Sequence, residues 1–430
     1  MIRTGGAAFL VYSFFGILVC TAGANAPNDP FAETQTITVA DAGGLDDLGW
    51  SLDVSGGLMI SGATGAANAA NQSTGAAYIY RQAADGMWNQ VAKLLPADGI
   101  SNDSFGYAVA LDGDWAIVEA GFYRRGGGSQ QGATYLFHRN TDSDWQQVSE
   151  FVAPAQNSSY FSHVSVSGTQ AVASKSLSVS LSVAHGIVDV IEQTGPSSWE
   201  KTQRIEIFGS ASQVNDVAIE NGTLAIGGYR RAVAGGPITY FVDVYKDSPN
   251  GFVPTTSILP PIESVAFGSS VALDHDRMLI GAAVEAGHGA AYIFERGPGD
   301  TWSQAAHLVP SDIDQRFLIG TQVALHGDFA YVNSWNSPNG LGDGRIYVFQ
   351  RTDGGNWVEI AKLTSPQTQI TFGHSLAAVD GQVLIGSGVN TPGMVHVFSQ
   401  VPEPAYPSFV LLLAMCLCCQ YLRTGHHRTP

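Results

Sequence analysis

Close pairs of carboxylates occur at Asp112-Gly113-Asp114 and Asp274-His275-Asp276. A hard cation takes six or more oxygen ligands. Two carboxylates in a tight turn supply too few, so both segments are expected to act as turns. Asp46-Asp47 and Asn339-Gly340-Leu341-Gly342-Asp343-Gly344 offer less still. His138, His163, His185, His275, His288, His307, His326, His374 and His396 are scattered, and no two show His-x-His or His-x3-His spacing. A fold that gathers distant segments can still bring such residues together; isolated surface or turn positions are the expectation. No Gly-x-Ser-x-Gly elbow and no Walker loop lies at a strand–helix junction. The one local concentration of ligand-gripping side chains is Tyr123-Arg124-Arg125 together with Tyr229-Arg230-Arg231, each placed in a loop after a second strand and followed by glycines. Arginine and tyrosine are favoured at interfaces, and such a patch suits an acidic sugar or a protein partner. No catalytic, cofactor-binding or metal-binding residue is expected.

The elements that must position these residues repeat. One phrase begins at Leu48-Gly49, Phe105-Gly106, Tyr160-Phe161, Val214-Asn215, Phe267-Gly268, Ile319-Gly320 and Phe372-Gly373, at intervals of 52 to 57 residues. A period of this length marks stacked or circularly arranged units. The fifth copy shows the grammar. Phe267 to Leu273 is a strand, Asp274-His275-Asp276 a turn, Arg277 to Ala282 a second strand, Glu285 to Gly289 a loop, Ala290 to Arg296 a third strand, and Trp302 opens a fourth. That is a four-stranded meander, and it suits one propeller blade. Apolar third strands such as Ala76-Ala77-Tyr78-Ile79-Tyr80 fit strands covered on both faces. Trp88, Trp145, Trp199, Phe252, Trp302 and Trp357 open the fourth strands and are expected to wedge between blades. The seventh copy stops at Phe398-Ser399, before any fourth strand. Residues 34–39 alternate like a strand at the other end of the chain. The expected fold is therefore all-β: a seven-bladed β-propeller of four-stranded antiparallel blades over residues 34–399, closed by an N-terminal strand that completes the last blade and removes an open edge.

The ends are different. Residues 1–24 carry Arg3, an apolar run from Ala7 to Val19 and Ala22-Gly23-Ala24, the pattern of a secretory signal peptide. Cys20 raises a lipidated alternative, against which the bulk of Val19 counts. Residues 25–33 read as a short linker. Residues 400–430 hold Val401-Pro402-Glu403-Pro404, an apolar run at about 408–422 and a basic end with Arg423 and Arg428. That run is short for an ordinary span of ~20 residues. All four cysteines, Cys20, Cys416, Cys418 and Cys419, lie in these ends, so the central domain can form no disulfide although an exported protein would permit one. Setting aside Arg3, Arg423, Arg428 and Glu403 leaves 17 basic and 36 acidic residues over 25–400. This acidic surface repels nucleic acid and anionic lipid.

Three resemblances follow. The Phe-Gly openings, the Ile-Gly-Ala second strands and the Gly-Ala-Ala-Tyr-Ile-Phe third strand resemble the FG-GAP repeat, the propeller repeat of integrin α-subunits and many bacterial surface proteins. The third and fourth copies are degenerate, with Phe161-Ser162 and Val214-Asn215 at the opening. The family often carries a calcium loop Asp-x-Asp-x-Asp-Gly, which no copy here has; calcium is implied by the family but not by these residues, and no cofactor is expected. Gly299-Asp300-Thr301-Trp302 resembles the end of the sialidase Asp-box, itself a turn motif, without the rest of the box. The tail resembles the PEP-CTERM sorting signal, which implies recognition by a membrane-bound exosortase-type processing enzyme and membrane association through the C-terminal segment before processing. Together they imply an exported, non-enzymatic cell-surface or extracellular-matrix protein for adhesion, binding or scaffolding, with extracellular polysaccharide or a surface protein as partner and no nucleic acid. The alternative is a carbohydrate-active enzyme, a glycosidase or polysaccharide lyase, with its site at the propeller axis.

Overall fold

A computed structural model describes residues 29–39, 44–122, 132–152, 158–159, 163–180, 183–262, 264–312, 317–336, 344–365, 371–388 and 391–402. Its strands form seven antiparallel sheets. In the first, Leu48–Ser55, Leu58–Ala63, Ala76–Gln82 and Trp88–Leu94 follow one another in spatial order as in sequence. Five further sheets repeat this order. The third adds the short strand Ser158–Ser159 beside its second strand. Among the described residues the only helical turn is Pro298–Asp300, in the Asp-box-like segment.

Closure is by strand exchange between the ends. Phe31–Ile37 pairs antiparallel with Met394–Gln400, so the last sheet runs from Ser375–Val379 through Gln382–Ser387 and Met394–Gln400 to the N-terminal strand. The expected closing strand is thus present. It starts at Phe31, three residues before the boundary drawn from alternation, because Phe31 is itself fully buried against Phe329 and Tyr331 of the sixth blade.

The core is divided into layers between neighbouring blades. Leu384, Val395 and Val397 of the seventh blade meet Tyr78, Tyr80 and Trp88 of the first. Ile60 and Ile79 of the first meet Phe105 and Val118 of the second, and comparable clusters follow around the ring. Each blade therefore buries both faces, which is why second strands such as Leu58–Ala63 are buried at every residue and third strands such as Ala76–Gln82 over their first five. The aromatics that open fourth strands are wedges as expected. Trp88, Trp199 and Phe252 are buried, and Trp145, Trp302 and Trp357 pack against the inter-blade clusters.

The opening dipeptide has a double physical cause. Phe105, Phe267 and Phe372 are buried in the layers, each worth roughly 1.5–3 kcal/mol of burial. The following glycine adopts positive φ, +91° at Gly106, where an added Cβ would lie 2.3 Å from the carbonyl oxygen of Ala76 in the preceding blade.

Candidate functional site

In five of the seven blades the first strand breaks its pairing just after the opening dipeptide. The ladder slips between Leu48 and Leu52, Phe105 and Ala108, Val214 and Asp216, Phe267 and Val271, and Ile319 and Val323. A bulge of this kind re-aims the side chains it contains. Trp50, Tyr107, Ser269 and Thr321 lie within such slips, Asp216 stands at the end of one, and His163 and His374 stand just before the first strands of the third and seventh blades; together they give one residue per blade at the ring axis. All seven are half-buried, and all line one cavity of about 530 Å³. This is the wide mouth. Around it the ring divides into an aromatic arc and a polar arc. Trp50 contacts Tyr107 with ring centroids 5.6 Å apart and His374 with centroids 4.7 Å apart. Phe122 and Trp335 back the arc, edge-on to Tyr107 and His374. Opposite lie Asp216, Ser269 and Thr321, with Gln213, Asn215 and Gln322 beside them.

The polar groups fall into committed and uncommitted sets. Asp216 accepts from Ser270 Oγ at 3.0 Å and from the amides of Val217 and Val271 at 2.8 and 2.9 Å, and it lies 3.3 Å from His163 Nδ1. Ser269 Oγ donates to the Gly320 carbonyl, and Thr321 Oγ1 pairs with Asn333 Oδ1. Asp216 and Ser269 tie blade to blade, whereas the Thr321 contact lies within the sixth blade and holds Asn333, which itself donates to Gly373 O of the seventh. By contrast, the side-chain amides of Asn215 and Gln322 hold no hydrogen bond among the described residues. Gln213 accepts from Tyr229 OH at 3.1 Å through Oε1, which leaves its Nε2 to donate. Burial lowers His374 to about 4 and raises the Tyr107 hydroxyl. Both are neutral near pH 7, and the described lining contains no lysine or arginine.

The opposite, narrow mouth, about 470 Å³, is lined by the first turns of the blades. There the turn side chain of one blade accepts an amide proton of the next. Asp112 takes Gly168 N at 2.6 Å, Ser167 takes Asn221 N at 3.2 Å, Glu220 takes His275 N at 2.7 Å and Asp274 takes Gly327 N at 2.7 Å. Glu220, Asp274 and His275 stand close enough to share a cation. Their oxygens are spent on these amides and on His275 Nδ1, 2.7 Å from Asp274, so the geometry is that of inter-blade staples. Asp274 raises His275, while burial raises Glu220.

The residues singled out in the sequence are placed unevenly. Tyr229, Arg230 and Arg231 sit on the second strand of the fourth blade, Thr223–Arg231, and not in the loop after it. The strand runs on because the three residues pair on both sides, with Ala211–Gln213 and with Ile238–Tyr240. Arg230 is spoken for, 3.0 Å from Asp243 and stacked 4.4 Å from the Phe241 ring centroid. Tyr123, Arg124 and Arg125 lie outside the described residues. The histidines are not all solvated. His396 is fully buried, with Glu33 2.7 Å from Nδ1 and Ser387 3.0 Å from Nε2, and His307 stacks on Tyr292 while bonding Glu285.

The axial ring was available in the sequence as the column of residues that follows the opening dipeptide. Spacing along the chain hides it, because the seven members are some fifty residues apart.

Three stretches of the chain match the FG-GAP repeat. They cover residues 31–80, 88–137 and 263–294. The first two begin at fourth-strand segments, Phe31 and Trp88, so the FG-GAP sequence unit is offset by one strand from the blade. That offset is what leaves a strand at the N-terminus to close the last blade. No curated protein matches this chain. Among the described residues no helix is long and apolar enough to cross a membrane; the apolar run at 408–422 lies outside them.

Proposed function

We propose that this FG-GAP propeller is a non-enzymatic binding protein of the cell surface or extracellular matrix, and that it binds through the wide axial mouth. One observation carries the proposal. The mouth combines a continuous aromatic arc with the side-chain amides of Asn215 and Gln322, which have no partner among the described residues, whereas its one described carboxylate, Asp216, already accepts three hydrogen bonds, two of them from the next blade. Glycoside hydrolysis in its usual form needs two carboxyl groups flanking the bond. Asp216 has no second carboxylate beside it among the described lining residues, which favours holding a ligand over cleaving one. The volume lies within the ~300–1,000 Å³ of ordinary ligand sites.

Export and surface retention belong to the same proposal. The signal-peptide pattern of residues 1–24 and the Val-Pro-Glu-Pro, apolar run and basic end of residues 401–428 support secretion followed by processing by an exosortase-type enzyme. The partner is extracellular polysaccharide or a surface protein. The test is co-sedimentation of the full chain with the producer's extracellular polysaccharide, with polymer length measured in the same samples. Retention of the protein with polymer of unchanged length is expected. Shortened polymer would transfer the protein to the carbohydrate-active enzymes, and failure to co-sediment would remove polysaccharide as its partner.

A further inference from the structure

The wide mouth has a chemistry more specific than binding in general. Trp50, Tyr107 and His374 form one contiguous apolar arc, with successive centroids 4.7 and 5.6 Å apart. Rings this close touch one another. They leave no gap for a cation to sit between faces, as an aromatic cage would require, and instead offer a platform. The Trp50 backbone N–H is held by Asp47 O, whereas its indole N–H has no hydrogen bond among the described residues and is placed to donate.

Across the mouth, Asn215 and Gln322 present amide groups, each a donor and an acceptor on one plane, and Gln213 adds the donor Nε2. Such groups match vicinal hydroxyls, which also donate and accept. Charge narrows the choice. The described lining holds no lysine or arginine, and its carboxylate is satisfied within the protein. An anionic ligand would enter with no cation to meet it, against the field of a domain that carries far more acidic than basic residues.

We propose that the wide axial mouth binds a neutral sugar residue, stacked on the Trp50–Tyr107 platform and hydrogen-bonded by the amides of Asn215 and Gln322. The sugar's apolar C–H face covers the aromatic arc, and its hydroxyl edge faces the polar arc. The proposal rests on the binding-protein function above and assigns its ligand class. It also moves recognition away from Tyr229-Arg230-Arg231, where Arg230 is held by Asp243.

The experiment is a panel of neutral oligosaccharides built on glucose, galactose, mannose and N-acetylglucosamine, with uronic-acid oligosaccharides alongside, titrated into the full chain. Binding is followed by tryptophan fluorescence and by saturation-transfer NMR. At least one neutral probe is expected to bind and the acidic ones to bind at least tenfold more weakly. Trp50→Ala should weaken binding by tenfold or more. Trp50→Phe, which keeps a ring, should retain most of it, and a thermal melt within a few degrees of wild type shows that the ring is intact. Asn215→Ala combined with Gln322→Ala, changes in side chains that hold no hydrogen bond among the described residues, should weaken binding fivefold or more without moving the melt.

Neutral-sugar binding that ignores both Trp50→Ala and the double variant would overturn this site while leaving a binding protein in place. Preference for the acidic probes would overturn the ligand class. Shortening of any probe would overturn the binding-protein function itself. No binding of any sugar by the wild-type chain would sink the sugar proposal, and a peptide captured at the Trp50 platform would show that the mouth binds protein instead.

Discussion

Gly106 shows how much of this ring depends on single residues without functional groups. Its φ of +91° and the carbonyl of Ala76, 2.3 Å from where a Cβ would stand, oppose any side chain. Gly106→Ala is expected to cost about 2–4 kcal/mol, from the unfavourable backbone region and the steric overlap together, read as a lower urea midpoint at unchanged m-value. Asp53, half-buried at the narrow mouth, makes a different prediction. It accepts from Leu111 N at 2.7 Å and from Val54 N at 2.8 Å, yet burial pushes it up to about 7. A raised carboxyl value means that the folded state keeps a proton the unfolded chain releases from about pH 4 upward. Stability should therefore fall as pH rises from about 4 to 7, and the full penalty should remain above that window. Asp53→Asn removes the titration and should flatten this profile, but its single acceptor oxygen serves only one of the two amides while its Nδ2 opposes the other, so the variant should be less stable than wild type at pH 4. Melting temperature against pH for the two proteins checks it. The opening glycines were plain in the sequence because the requirement for them repeats. The environment of Asp53 was not, since its partner at Leu111 belongs to the next blade.

Strands were legible for a related reason: alternation, tight turns and aromatic openings recur at a fixed period. Pairing of the two ends was inferred from a missing fourth strand, and one contact shows why it works. Gln35, on the N-terminal strand, clamps the backbone of Trp88 with Nε2 to O and Oε1 from N, both 2.8 Å. Gln203, on the fourth strand of the third blade, clamps Phe252 of the fourth blade in the same way at 2.9 and 2.8 Å. The displaced strand thus performs the task of an internal fourth strand. Removing residues 31–37 would expose the edge of Met394–Gln400 and the pocket filled by Phe31. The expected outcome is a melting temperature at least 10 °C lower or association through the open edge, seen by calorimetry and light scattering. Gln35→Ala should cost only about 1–2 kcal/mol for its two hydrogen bonds. A monomeric deletion variant with an unchanged melt would show that closure lies elsewhere. The end of the second strand in the fourth blade was harder to place. Gly235-Gly236 suggests a loop, but Tyr229 to Arg231 continue the ladder because both neighbours extend alongside them. Local composition marks where a turn is allowed, and the partner strands decide where it occurs.

At the scale of the whole ring, the two mouths use similar residues for opposite ends. On the wide side a varied residue of each blade reaches the axis half-buried, and some of these residues, such as Asp216 and Ser269, are also committed to hydrogen bonds with the next blade. On the narrow side, turn side chains link Asp112 to Gly168, Ser167 to Asn221, Glu220 to His275 and Asp274 to Gly327. A further contact brings His326 Nε2 to 3.5 Å from Asp380. This chain of contacts helps hold in register a domain that lacks any disulfide. It also explains why carboxylate pairs in turns need not imply a metal: each oxygen that accepts a backbone amide is one fewer for a cation that requires six or more. The prediction is that millimolar calcium, or a chelator, shifts the melting temperature by less than about 1 °C, whereas Asp274→Ala lowers stability by about 1–2 kcal/mol through the unpaired Gly327 amide. A calcium-dependent rise that Asp274→Ala abolishes would show instead that Glu220, Asp274 and His275 bind the ion. The staple at this turn would then be a secondary use of a metal site.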